Sequence, residues 1–175
     1  MTPERKAHTF IVLLEDLPGA LNRVVSLFRR RVVNIDSLTV GRTETPGVSR
    51  ITLVVRADAN AARLLEANLY KLVDVLDVQD VTAEAVVVRE LAFVKLGAQF
   101  RTEVMQLCDV FRARVVDLGP ASITVESTGS QDKIDGLIEA LRPFGIVELV
   151  RTGAVAIARG APAEEQLSPE AEVHT

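Results

Sequence analysis

Residues His8 to Gly41, HTFIVLLEDLPGALNRVVSLFRRRVVNIDSLTVG, carry a strand, a turn, a helix and a second strand in close succession. They open on an apolar run rich in β formers, His8 to Leu14, which predicts a buried strand. Glu15 to Gly19 (EDLPG) predicts a turn. Leu21, Val24, Val25 and Phe28 then recur at i, i+3, i+4 and i+7, one face of a helix from about Pro18 to Arg31. Pro18 suits the first helical position, whose N–H has no intrahelical partner. Arg29, Arg30 and Arg31 close the helix at the negative end of its dipole. Val33 to Gly41 alternates, which predicts a strand with Val33, Ile35 and Ser37 on one face and Asn34, Asp36 and Leu38 on the other.

Thr43 to Gly47 (TETPG) is a turn and Val48 to Arg56 a strand, so the two strands form a hairpin. Asp58 is an N-cap for a helix carrying Leu64, Leu65, Leu69 and Leu72. Val73 to Val81 alternates strictly and predicts a half-exposed strand. The order is β-α-β-β-α-β, the ferredoxin-like unit. The same order recurs from Val86. Val86 to Leu96 is a strand and Arg101 to Phe111 a helix whose one face carries Val104, Leu107, Cys108 and Phe111. Arg114 to Leu118 and Ser122 to Glu126 flank the Gly119–Pro120 turn, and Ser130 caps a helix through Leu141. Ile146 to Val150 and Ala154 to Ala158 close the chain as strands, with Thr152 and Gly153 read as a turn. The expected fold is therefore α+β, two tandem ferredoxin-like (βαββαβ) domains with antiparallel sheets and helices on one face. The expected boundaries are 1–82 and 83–160, followed by a disordered acidic tail over 161–175.

Composition narrows the function. The chain has 175 residues, 20 Lys plus Arg, 24 Asp plus Glu and one Cys. Glu164, Glu165, Glu170 and Glu172 all lie in the tail, which leaves a neutral body with no electrostatic footprint for nucleic acid. No apolar run reaches the ~20 residues that span a bilayer, and a single Cys fits a reducing cytoplasm. The two His, His8 and His174, lie near opposite ends, and no Cys–x–x–Cys, His–x–x–x–His, nucleophile elbow or Walker loop is present. These features predict a binding or regulatory protein without catalytic residues or a metal site of its own.

The constellation that carries function is Asp16-Leu17-Pro18-Gly19-Ala20. Amides of Gly19 and Ala20 in a first helical turn lack intrahelical acceptors and make a carboxylate site. Glycine lets a ligand approach that backbone closely. Asp16 at its mouth suits an ammonium group, and Asn34 offers an amide. Spacing alone leaves the ordinary alternatives open: Pro-Gly as a plain turn, Asp16 as a helix cap, Asn34 as the partner of a local turn.

The segments Leu13–Gly41, Val48–Val55 (VSRITLVV), Lys71–Val78 (KLVDVLDV), Arg89–Leu96 (RELAFVKL), Phe111–Pro120 and Glu148–Gly160 (ELVRTGAVAIARG) resemble, in this order, the regulatory or small subunits of acetohydroxyacid (acetolactate) synthase. The resemblance implies that the first domain is an ACT domain and that the chain has no activity of its own. It implies a partner, the large catalytic subunit carrying thiamine diphosphate, magnesium and FAD, which the chain activates in branched-chain amino-acid biosynthesis. It implies a homodimer through ACT domains, with valine or a related amino acid bound for feedback inhibition. Asp16, Leu17, Gly19 and Ala20 of one chain would hold the effector, completed by Asn34 and Ile35 of the facing domain, with Leu38 a further lining residue. Many members carry Asn at the position of Asp16, and Gly-Tyr or Gly-Phe at Val32 and Val33, so the shape of the pocket is this chain's own. A free-standing two-ACT amino-acid sensor acting on another target is the alternative.

Overall fold

A computed structural model describes residues 5–160. The expected tail, 161–175, lies outside the described residues.

The first unit runs β1 (Lys6–Glu15), α1 (Ala20–Arg30), β2 (Ile35–Arg42), β3 (Val48–Ala57), α2 (Ala59–Leu69) and β4 (Val75–Asp80). Its antiparallel sheet has the order β2-β3-β1-β4. Strand periodicity turns Phe10, Val12, Leu14, Ile51, Leu53 and Val55 to one face, where both helices cover them. From α1 come Ala20, Val24, Leu27 and Phe28, and from α2 Ala62, Leu65 and Leu69. Leu64 is half exposed instead. It precedes Leu65 by one residue, or about 100° of helix, so the two cannot share the core face. Asp58 caps α2 as expected, its Oδ1 accepting from Asn60 N (3.0 Å) and Ala61 N (2.9 Å).

Three local features depart from the sequence expectation. Helix α1 begins at Ala20, not Pro18, because Gly19 has φ +90°, a left-handed geometry that cannot belong to a right-handed helix. Strand β2 carries an irregularity between Ile35 and Ser37 against β3. That extra residue shifts the phase of the alternation, so Ile35 and Leu38 both pack on the core while Ser37 turns to the other face with Thr39. The third is Val32, which stands at φ +54° and is 92% exposed. A β-branched residue pays about 1–2 kcal/mol for that backbone and recovers nothing by packing. Val32→Asn, which tolerates the left-handed region, should raise stability by about 1 kcal/mol in denaturant unfolding; an unchanged midpoint would contradict the strain.

The second unit repeats the order: β5 (Val86–Gly97), α3 (Arg101–Phe111), β6 (Arg114–Leu118), β7 (Ser122–Gly129), α4 (Gln131–Leu141), β8 (Ile146–Arg151) and β9 (Val155–Ala158). Its strands run β6-β7-β5-β8. Ala92, Val94 and Leu96 of β5 face α3 and α4 with Ile123, Val125, Val104, Leu137 and Leu141. Cys108 is part of this core, and burial pushes its thiol pKa up, as for an inert core cysteine.

Strand β5 serves two partners. Residues Glu90–Gly97 belong to the second sheet, whereas Val86–Arg89 pair with β9 as a separate ribbon. That ribbon lies on the far face of the first sheet, where Ile11, Val81 and Ala156 form a small core with Val86 and Val88. The two units are thus packed together.

Candidate functional site

The turn between β1 and α1 is pinned to the β2–β3 hairpin. Asp16 N donates to Gly47 O (2.8 Å), Ser49 Oγ donates to Asp16 Oδ1 (3.1 Å), and Arg42 Nε stands 3.5 Å from Asp16 Oδ2. A shallow cavity of about 200 Å³ opens here, lined by Asp16, Arg42, Thr43, Thr45, Pro46, Gly47 and Val48. Asp16 makes no cap to the helix. Its side chain is 43% exposed, while Arg42 is 89% exposed, so the Ser49 bond is the firmer restraint and the Arg42 contact is displaceable. Sequence reading missed Arg42 and Ser49, which lie 26 and 33 positions away.

Helix α1 presents open donors at this turn, with one change from expectation. Ala20 N donates to Leu17 O (3.2 Å), and the first regular helical bond is Arg23 N to Gly19 O (3.1 Å). The amides of Gly19, Leu21 and Asn22 are therefore the free donors, not those of Gly19 and Ala20. Ala20 is buried, with its methyl in the core. A Cβ at Gly19 would meet Arg23 Nη1 at 3.6 Å, an ordinary contact, so the backbone here is open to a ligand. Leu17 is half exposed beside it.

Arg23 sets the orientation of α1. Its guanidinium pairs with Asp74, a buried carboxylate between α2 and β4, and that hydrogen bond raises the Arg23 pKa. At 100° per residue, Leu21 and Val25 lie about 160° from Arg23 on either side of its opposite flank. Both are 39% exposed and, with Leu17, form an apolar stripe on the side of α1 turned from Arg23 and Asp74. Strand β2 is an open edge of the same sheet.

Asn34 and Ile35 are not brought to this turn. Ile35 pairs with Val55, whereas Arg42 pairs with Ser49 at the Asp16 end. Seven residues of β2 separate the ends, about 23 Å at ~3.3 Å per residue. Asn34 is exposed, with only Asp36 Oδ1 at 3.5 Å as partner, and Ile35 packs on its own domain's core. Within one chain the anticipated site is split in two.

Among the described residues no three His, Cys, Asp or Glu gather as a metal site, and no helix is long and apolar enough to cross a membrane.

Two family models match. Residues 10–77 match the small-subunit-like ACT domain of acetohydroxyacid synthase, and residues 89–160 match the small subunit of acetolactate synthase. The acetolactate synthase small subunit of Bacillus subtilis is 49% identical over 145 residues, 81% of this chain and 84% of that one. That of Mycobacterium leprae is 44% identical over 155 residues, 87% of this chain and 92% of that one. The crystal structure of the Thermotoga maritima small subunit superposes with a TM-score of 0.82 at 35% identity, covering 90% of this chain and 99% of that one.

Proposed function

Because the chain belongs to the acetolactate synthase small-subunit family, we propose that it is a regulatory subunit that activates a large catalytic subunit. We further assign it the role of making that subunit answer to a branched-chain amino acid held between two copies of its first domain. Thiamine diphosphate, magnesium and FAD are placed in the large subunit, and the holoenzyme in the cytoplasm.

The observation that carries the effector reading is the split of the site. The turn with the free amides of Gly19, Leu21 and Asn22 stands at one end of β2 and Asn34 at the other. A twofold axis through the middle of β2 pairs its open edge with that of a second copy and brings Asn34 of that copy to the Asp16 end. It also turns the Leu17–Leu21–Val25 stripe toward the second chain, as an interface with an apolar centre requires. The free amides of Gly19, Leu21 and Asn22 then receive the carboxylate, and Asp16, steadied by Ser49, takes the ammonium as Arg42 swings aside. The helix dipole supplies only ~0.3–1 kcal/mol, so the direct N–H bonds supply most of the affinity. Micromolar to millimolar binding needs about −8 to −4 kcal/mol, within reach of a few such bonds and one small apolar pocket. Inhibition follows by linkage: the effector favours one arrangement of the two chains, activation another.

The second domain, residues 83–160, is assigned to the large-subunit contact. Helices cover one face of its sheet; the other presents Phe93 and Val150 beside the Lys95–Glu148 pair, and the β9 ribbon adds the exposed Val155 and Ile157.

Reconstitution tests the proposal. Added to its cognate large subunit, the chain should raise acetolactate formation several-fold, and millimolar L-valine, L-leucine or L-isoleucine should reverse the gain. No activation would refute the regulatory role; effector binding without activation would point to a free-standing sensor. Asn34→Ala should weaken calorimetric binding by ~1–3 kcal/mol, the cost of an unpaired group in a desolvated site. Unchanged affinity would remove Asn34 from the pocket.

A further inference from the structure

The segment joining β8 to β9 spans both domains. Thr152 N donates to Leu91 O (3.1 Å) and Thr152 Oγ1 accepts from Leu91 N (3.1 Å), which fixes the segment to β5. On its other side it meets β2. Ala154 N donates to Ser37 Oγ (2.8 Å), and Thr39 Oγ1 donates to Ala154 O (2.9 Å) and lies 3.4 Å from Thr152 O. One strand further in, an Arg50 guanidinium N–H donates to Ala156 O (2.8 Å). Gly153 between them has φ +81°, and a Cβ there would meet Ser37 Oγ at 2.5 Å, so the fit leaves no room for a side chain.

The preceding residue ties this segment to the body of the second domain. Arg151 reaches Glu90 Oε2 (2.5 Å), a buried carboxylate on β5, and Asp135 Oδ1 (2.7 Å) on α4. Burial opposes the Arg151 charge, but these two hydrogen bonds outweigh it and leave its pKa above the ordinary value. Three consecutive links therefore run from β2 through Thr152–Ala154 to Arg151 and into β5 and α4.

Ser37 and Thr39 sit on β2 itself, the strand that also carries Asn34 and Ile35. The β2 irregularity is what turns Ser37 to the strap side rather than the core. Any change in the twist of β2 moves these two hydroxyls. Their partners are main-chain groups of a segment clamped at both ends, so the movement is passed on rather than absorbed by a flexible side chain.

From this geometry we infer that residues 151–154 form a coupling strap: the hydroxyls of Ser37 and Thr39 transmit the effector-bound state of β2 to the second domain through Thr152–Ala154 and Arg151. The inference rests on the effector reading given above and adds its route. Ser37 and Thr39 are positioning residues that do not touch the ligand.

The test separates binding from inhibition in the reconstituted holoenzyme, with L-valine, L-leucine and L-isoleucine as probes. In the Ser37→Ala/Thr39→Val double variant, calorimetric affinity for the best probe should stay within about threefold and activation should persist. Maximal inhibition should fall by at least half. Thr39→Ser, which keeps the hydroxyl, should be inhibited like the wild type. Hydrogen exchange on the unmodified dimer gives a second measurement: the Ala154 amide should change its protection when the probe binds. A double variant inhibited to the wild-type extent at the same concentration would overturn the strap, as would an Ala154 amide blind to the probe. A tenfold loss of affinity would also overturn it, by placing these hydroxyls in the binding site. A wild-type chain that binds none of the three probes overturns the effector reading itself, a separate outcome.

Discussion

The Gly19→Asp variant should escape inhibition by branched-chain amino acids while still activating the large subunit. Gly19 stands at φ +90°, where any side chain is strained, but Asp and Asn bear positive φ better than most, and the Cβ would find only an ordinary contact with Arg23. The first domain should therefore still fold and pack. The new carboxylate would sit at the mouth of the free amides of Gly19, Leu21 and Asn22, where the ligand carboxylate is placed. Two like charges about 4 Å apart near a protein surface repel by about 4 kcal/mol before screening. Even after salt reduces this, affinity should fall by at least about 100-fold, or ~2.7 kcal/mol. Gly19→Asn, of similar shape without the charge, should lose much less. Inhibition of the Asp variant at wild-type concentrations would remove the turn from the site.

Leu21→Glu/Val25→Glu should separate the chains and abolish effector binding, although neither side chain is expected to touch the ligand, which meets only the main-chain amide of Leu21. Both are 39% exposed in the single chain, so its own core is little disturbed. The like-charge i, i+4 pair costs an isolated helix only ~0.2–0.5 kcal/mol. Across a twofold axis, however, four carboxylates would face one another in an apolar interface, where unpaired charge is very costly. Sedimentation at about 10 µM protein should shift from dimer to monomer, and calorimetry with L-valine, L-leucine and L-isoleucine should record no heat of binding. A monomer that binds with wild-type affinity would show that one chain holds the whole site.

Local periodicity made most of the fold legible. Val24 and Phe28 lie in the buried stripe of α1, although Leu21 and Val25, read on the same face, are exposed and Ala20 and Leu27 take their place; the caps at Asp58 and Ser130 stand where their side chains predicted, and α3 and β6 have the expected limits. What escaped was set by partners distant in the chain. The β2 irregularity reverses the phase of Leu38 relative to Ile35, and only pairing with β3 reveals it. The run Val86–Leu96 reads as one strand of one domain, and the Arg89–Glu90 interruption of its apolar pattern falls where β9 gives way to β7 and β8, a change of partner that only the pairing reveals.

The candidate site divides in the same way. Open donors after Pro18 follow from helix geometry, and only their identity changed once Ala20 N was found on Leu17 O. Arg42 and Ser49 reach Asp16 from the hairpin, a contact without local signal. The separation of Asn34 from Asp16 needed the register of β2 on β3. Thr152 and Gly153 read as a simple turn because their partners, Ser37 and Thr39, lie more than a hundred residues earlier.

The most direct measurement is a crystal structure of the dimer grown with a saturating branched-chain amino acid. The ligand should lie where two chains meet, its carboxylate on the amides after Pro18, its ammonium at Asp16, and Asn34 of the second copy within hydrogen-bond distance. A ligand held wholly within one chain, or that corner left empty or filled by the protein's own side chains, would contradict the account.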